Sequence, residues 1–123
     1  MGKTRREPMP RKVTYALARR LALALPGAQE ATSYGTPSVK IAGKFLLRLR
    51  EDGETLAVKI DFDTRDALLA ADPRAFFVTD HYRGWPAVCV RLAAIDRKRL
   101  EAFLGEAWRF VAPKKLLASH GAR

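Results

Sequence analysis

The sequence predicts an α+β fold, a two-layer sandwich in which an antiparallel five-stranded sheet carries its helices on one face. Three observations lead there. Between residues 39 and 60, three stretches alternate apolar and polar side chains, the period-two signature of strands half-buried on one face. Ala42-Gly43 and Asp52-Gly53 fall between those stretches at hairpin spacing, which makes the strands antiparallel. Near the C-terminus, Leu100, Phe103, Leu104, Ala107, Trp108 and Val111 recur at i, i+3, i+4, i+7, i+8 and i+11, an apolar stripe down one side of a helix. An antiparallel sheet with one apolar face buries that face under such helices.

The expected element order is α-β-β-β-α-β-β-α. The first helix is expected over 11–25, with Val13, Leu17, Leu21 and Ala24 facing the core and Pro26-Gly27 ending it. In the strand block, Val39 and Ile41 alternate with Lys40. Phe45, Leu47 and Leu49 alternate with Leu46, Arg48 and Arg50, and Leu56, Val58 and Ile60 alternate with Ala57, Lys59 and Asp61. Asp63 is the expected cap of a short helix that runs to Ala71 and is stopped by Asp72-Pro73. The fourth and fifth strands are expected over 75–79 and 87–92. Asp96 caps the last helix, Pro113 ends or kinks it, and 114–117 adds a short turn. The Gly-containing stretch Ser33-Tyr34-Gly35-Thr36-Pro37 lacks the Gly-Lys-Ser/Thr of a phosphate-binding loop and is expected as a turn leading into the first strand. Residues 1–10, with Pro8 and Pro10, are expected as a disordered basic arm, 11–118 as a single domain and 119–123 as a disordered tail.

A chain of 123 residues, 48% hydrophobic and 29% charged, suits one soluble domain with a real core. Its net charge of +10 is uneven. Residues 1–20 hold seven Lys/Arg against one acid, residues 97–123 seven against two, and the centre nine against ten. Such a balance attracts polyanions. A single cysteine, Cys89, rules out an intrachain disulfide and fits a reducing compartment. The run Leu21–Leu25 is too short for a signal peptide, and no apolar stretch approaches the roughly 20 residues needed to span a bilayer. Met1–Arg6 lacks the Ser/Thr of a myristoylation signal. A cytoplasmic protein with no membrane partner is expected.

Strand alternation sorts the side chains into two sets. The expected core set is Val39, Ile41, Phe45, Leu47, Leu49, Leu56, Val58, Ile60, Val88, Val90 and Leu92. The opposite set holds Lys40, Arg48, Arg50, Lys59 and Arg91, together with Leu46, Ala57 and Cys89. Five cations with no acid before Asp61 exceed what solubility needs, because mixed signs repel less. Cations on a sheet face suit phosphates, but they do not read bases.

The stretch Thr79-Asp80-His81-Tyr82-Arg83-Gly84-Trp85-Pro86 is chemically dense, yet no catalytic constellation is complete. Neighbours such as Asp80 and His81 rarely aim at one point, and Cys89 lies in an expected strand rather than at a helix N-terminus. His81 and His120 are the only histidines, which excludes a three-histidine metal site. Neither an enzyme nor a cofactor is expected. The stretch is expected to link the fourth and fifth strands, with Trp85 inside and Arg83 outside, and to extend a binding surface through His81, Tyr82 and Arg83.

Four pieces carry a family resemblance: SYGTP at 33–37; GKF, LRLREDGETL and VK within 43–59; ADP, FFVTDHYRGWP and VRL within 71–92; and EAWR followed by VAPK within 106–114. In this order and spacing the chain resembles the MmcQ/YjbR family from about Ala18 to Leu117. The resemblance implies a two-layer domain with an antiparallel sheet, akin to double-wing DNA-binding domains and also to frataxin-like and secretion-chaperone-like architectures. It brings no catalytic residues, and the arm before Arg11 lies outside it. The expected partner is therefore nucleic acid, duplex DNA, held at its phosphates by Lys40, Arg48, Arg50, Lys59 and Arg91, with Lys3, Arg5 and Arg6 adding a nonspecific arm. Two alternatives remain: a protein-interaction or chaperone-like module on the open sheet face, as a monomer or weak dimer, and a small-ligand or enzyme domain at residues 79–86.

Overall fold

The computed structural model describes residues 13–120. The expected basic arm, with Lys3, Arg5 and Arg6, and the last three residues of the expected tail lie outside the described residues. In chain order the elements are α1 (Tyr15–Leu23), β1 (Ala28–Ser33), β2 (Thr36–Ile41), β3 (Lys44–Leu49), β4 (Thr55–Lys59), α2 (Phe62–Ala71), β5 (Phe76–Phe77), β6 (Ala87–Arg91), α3 (Arg97–Val111) and α4 (Lys114–Ser119). Single 3-10 turns form at Asp80–Tyr82 and Leu92–Ala94.

The sheet is antiparallel throughout and has six strands, in the order β1-β2-β3-β4-β6-β5. The expectation of five strands missed β1. Its sequence, Ala-Gln-Glu-Ala-Thr-Ser, has no large apolar residue and pairs along its whole length with β2. Tyr34 and Gly35 close this hairpin with φ of 54° and 79°, as do Ala42 and Gly43 for the next one with 50° and 83°. Positive φ at both central residues is the two-residue turn whose twist matches the strands. Ser33-Tyr34-Gly35-Thr36 is thus a turn between two strands and not the approach to the first.

One core holds the fold together. Ala18, Leu21 and Ala22 of α1 and the stripe Leu100, Phe103, Leu104, Ala107, Trp108 and Val111 of α3 pack on Val39, Ile41, Leu47, Leu56, Val58, Val88 and Val90. The Trp108 indole N–H donates to the Pro26 carbonyl at 2.9 Å and ties α3 to the end of α1. Leu68 and Leu69 of α2 join the same core. The register shifts between Val39 and Lys40, where a bulge in β3 places Leu47 opposite Val39 but Phe45 opposite Lys40. The extra residue rotates the alternation. Leu46, expected on the far side, is fully buried in the helix-side core, and Phe45, expected in the core, shares the other face with Lys40.

Helix caps follow short polar side chains. Thr14, Asp61 and Asp96 accept hydrogen bonds from the backbone N–H groups of Leu17, Thr64 and Arg99. Asp61, not Asp63, is therefore the cap of α2. Helix α4 continues through Ser119, and His120 caps it with its ring edge-on to Trp108, so the helix runs into the stretch expected as tail.

Replacing Ala42 by Asn should stabilise the protein by about 1 kcal/mol, because Asn tolerates the left-handed backbone that Ala resists. A urea midpoint unchanged or lowered in Ala42→Asn would contradict this. The hydrogen bonds from Thr64, led by its backbone N–H, hold the Asp61 carboxyl below the usual aspartate range. Its contribution is therefore complete above the unfolded value of about 3.9 and is lost as pH falls through the lower folded value. Between pH 5 and pH 2, the urea midpoint of the native protein should fall more steeply than that of Asp61→Asn.

Candidate functional site

The second face of the sheet is only partly open. Residues 79–86 cross it, and Tyr82 lies on Ala57, Ala87 and Cys89 with Phe77 alongside, forming a small second cluster. Tyr82, and not Trp85, is the aromatic that points inward: Tyr82 is 8% exposed and Trp85 is 64% exposed. The expected inward Trp85 is thus corrected. Its backbone carbonyl, not its indole, is what the fold uses. Arg83 is outside, as expected, and donates to the Asp80 carboxylate at 2.9 Å.

The clamp on this segment is Arg65 of α2. Its Nη1 lies 3.3, 3.3, 2.9 and 3.2 Å from the carbonyl oxygens of Tyr82, Arg83, Trp85 and Ala87. The guanidinium is buried, sits 4.8 Å from the centre of the Phe62 ring, and keeps its Nε 3.7 Å from the Asp66 carboxylate, too far for a hydrogen bond. One charged donor group thereby adds a further hydrogen-bonding partner to this turn, where the Tyr82 and Trp85 carbonyls also accept from the backbone N–H groups of Trp85 and Ala87. Sequence reading passed over Arg65 because an arginine in a short helix between two acids looks like a solvated surface residue.

Beside the segment lies a cleft of about 460 Å³. Its lining runs from Ser33 and Tyr34 in the first hairpin to Gly43 in the second, across Lys40, Phe45 and Lys59 of the sheet, to His81, Tyr82, Trp85, Pro86 and Ala87. No acidic residue is among the described lining residues. Tyr34, 78% exposed, and Trp85 are the two large aromatics that the lining leaves in solvent. Pro86 and Ala87 are held to the sheet where the Ile60 N–H donates to the Pro86 carbonyl at 2.9 Å.

The expected binding residues separate into three groups. Lys40 and Lys59, half-buried, line the cleft with His81 and Tyr82. Arg50 and Arg91 do not line the cleft and lie by Phe77, with Cζ 5.9 and 4.2 Å from the ring centre. Arg50 also donates to the Thr55 hydroxyl, and Arg91 to the carbonyls of Pro73 and Arg74. Arg48 is 5% exposed, so it does not present its charge to solvent. It donates to the Tyr82 hydroxyl at 3.1 Å, the Thr36 hydroxyl at 3.2 Å and the Glu51 carboxylate at 3.3 Å, and lies 5.2 Å from the Tyr34 ring centre. It braces the floor of the cleft. Cys89 is buried beneath Tyr82, and burial pushes its thiol up from the ordinary value, away from nucleophilic reactivity. Among the described residues, no group of three or more His, Cys, Asp or Glu is placed to hold a metal ion, and no helix is long and apolar enough to cross a membrane.

A family model described as YjbR matches residues 23–110. A solved protein from Deinococcus radiodurans, DR2400, carrying a domain described as DUF419, superposes with a TM-score of 0.71 at 18% identity, over 91% of each chain. That likeness shows the fold. Uncharacterised proteins Rv2570 of Mycobacterium tuberculosis and Mb2600 of Mycobacterium bovis are 42% identical over 66 residues, 53% of this chain. The match spans about half the length of those relatives, 51%.

Replacing Arg65 by Met removes the charged donor that these carbonyls share, at a cost of about 1.5–3 kcal/mol. Urea unfolding should show that loss, and hydrogen exchange should show amide protection falling first around residues 82–92. Stability equal to that of the native protein would mean that water replaces the guanidinium.

Proposed function

This chain belongs to the YjbR family, and on that footing we propose that it is a nucleic-acid-binding protein that holds phosphates on the cleft side of its sheet. The observation that carries this reading is the cleft itself, where Lys40 and Lys59 meet His81 with no acid among the described lining residues. A charge of +10 steers polyanions towards such a site. Arg50 and Arg91 extend the basic surface past Tyr82, and Arg48 takes a bracing role in place of a phosphate contact. The basic N-terminal residues Lys3, Arg5 and Arg6 add a nonspecific contact, and binding to duplex DNA follows from the same phosphate chemistry. The role is binding without catalysis. In support, the Asp80 carboxylate is engaged by Arg83 instead of orienting His81, and the Cys89 thiol is covered.

One observation favours a second reading. Strand β1 is paired only with β2 among the described residues, so its outer edge offers backbone groups to an added strand from a protein partner. Recovery of one protein partner from nuclease-treated extract, lost when Pro replaces Thr32, whose N–H faces away from β2, would favour strand addition.

The nucleic-acid reading is tested by fluorescence anisotropy with a labelled oligonucleotide over a salt series. Each phosphate contacted by a lysine adds about 0.7–0.9 to the slope of log affinity against log salt. The double variant Lys40→Glu/Lys59→Glu should bind at least ten-fold more weakly at low salt, with the slope reduced by one to two. Absence of binding by the native protein at low salt, or affinity untouched by the double variant, would end the proposal.

A further inference from the structure

We propose that the cleft captures an unpaired nucleotide, its base stacked on Tyr34 or Trp85 and its phosphate on Lys40 and Lys59, so that the protein prefers single strands to duplex. The inference rests on the nucleic-acid reading above and adds the strand form. Phosphate contact alone needs projecting cations and gains nothing from aromatic rings. Yet the two large aromatics most exposed on this face, Tyr34 at 78% and Trp85 at 64%, both line the cleft. The backbone of each is fixed, whereas neither ring is part of a core. Tyr34 sits at a hairpin tip with φ of 54°, a conformation unusual for a bulky residue, and Trp85 is held through its carbonyl by Arg65 at 2.9 Å. A backbone fixed at both positions keeps the two aromatics at the rim before a flat partner arrives.

The cleft's chemistry matches a nucleotide in both its parts. Phe45 and Tyr82 add apolar walls, whereas the charged groups are cations. A volume of about 460 Å³ falls within the range of small-molecule sites. Every base has a π-face, but in a duplex those faces are covered by their neighbours. Only an unpaired base can offer one to Tyr34 or Trp85, and base–aromatic stacking is worth roughly ten-fold or more in affinity per base. A duplex meets the same lysines without that gain.

The test uses the full chain with three ligands at equal salt: a labelled 12-nucleotide single strand, a duplex of the same length, and thymidine monophosphate as competitor. The single strand should bind at least ten-fold more tightly than the duplex. Trp85→Ala or Tyr34→Asn, whichever ring carries the base, should lose roughly ten-fold for the single strand and less than two-fold for the duplex. Both positions are exposed, and Asn suits the left-handed turn, so folding is not at stake. Equal affinity for both strand forms, unchanged by the aromatic variants, would overturn the strand preference and leave the phosphate reading standing. Competition by the free nucleotide at the concentration of oligonucleotide sites would overturn the assignment to strands and make the cleft a mononucleotide site. No binding to either strand form would overturn both this inference and the reading beneath it.

Discussion

The guanidinium of Arg65 sits among the carbonyl oxygens of Tyr82, Arg83, Trp85 and Ala87, and the whole cleft side of the sheet depends on that arrangement. Residues 79–86 contain one 3-10 turn and otherwise irregular backbone, closed by local bonds such as those from the Trp85 and Ala87 N–H groups to the Tyr82 and Trp85 carbonyls. Buried irregular backbone is unfavourable unless each polar group is matched. Local bonds alone do not tie the segment to the rest of the molecule; Arg65 does, from a helix anchored to the main core by Leu68 and Leu69. With the segment fixed, Tyr82 can settle on Ala57 and Cys89, and Trp85 is left standing at the rim.

Arg48 plays the complementary part from the sheet. Its side chain links the Tyr82 hydroxyl, Thr36 beside the first hairpin and Glu51 beyond β3. Arg48 and Arg65 are both buried cations that organise neutral or acidic groups around them. Formal charge therefore overstates the free basic surface. What is left near the cleft is a smaller set, with the half-buried Lys40 and Lys59 inside and the half-buried Arg50 and exposed Arg91 beside Phe77.

Much of the fold is legible because burial imposes periodicity. Leu56, Val58 and Ile60 alternate since one face of β4 meets the helices, and the α3 stripe from Leu100 to Val111 spells out its buried side. Strand β1 escaped because it is an edge strand without large apolar residues, its partner β2 supplying the contrast it lacks. The exchange of Phe45 and Leu46 came from a bulge, which changes the phase of the alternation without leaving a residue type that betrays it. For the site, Lys40, Lys59 and His81 could be gathered from alternation and family motif, and the structure brings them together. Arg65 could not, since nothing local distinguishes an arginine that reaches four carbonyls 17 to 22 residues away from one that reaches water. The inward place of Tyr82 instead of Trp85 was illegible for a related reason: it is set by distant residues, the small floor of Ala57, Ala87 and Cys89 and the Arg48 donor, which fit a phenol lying across them.

The sheet divides the molecule into two packing clusters, a large one beneath the helices and a small one under Tyr82. The fold's cooperativity resides in the first, whereas the rim residues Tyr34, Trp85 and His81 belong to neither. Substitutions around the rim can accordingly accumulate with little penalty to folding, provided Arg48 and Arg65 are kept. The architecture separates a half that carries the packing from a rim that carries little of it, so the rim can change its chemistry while the fold stays.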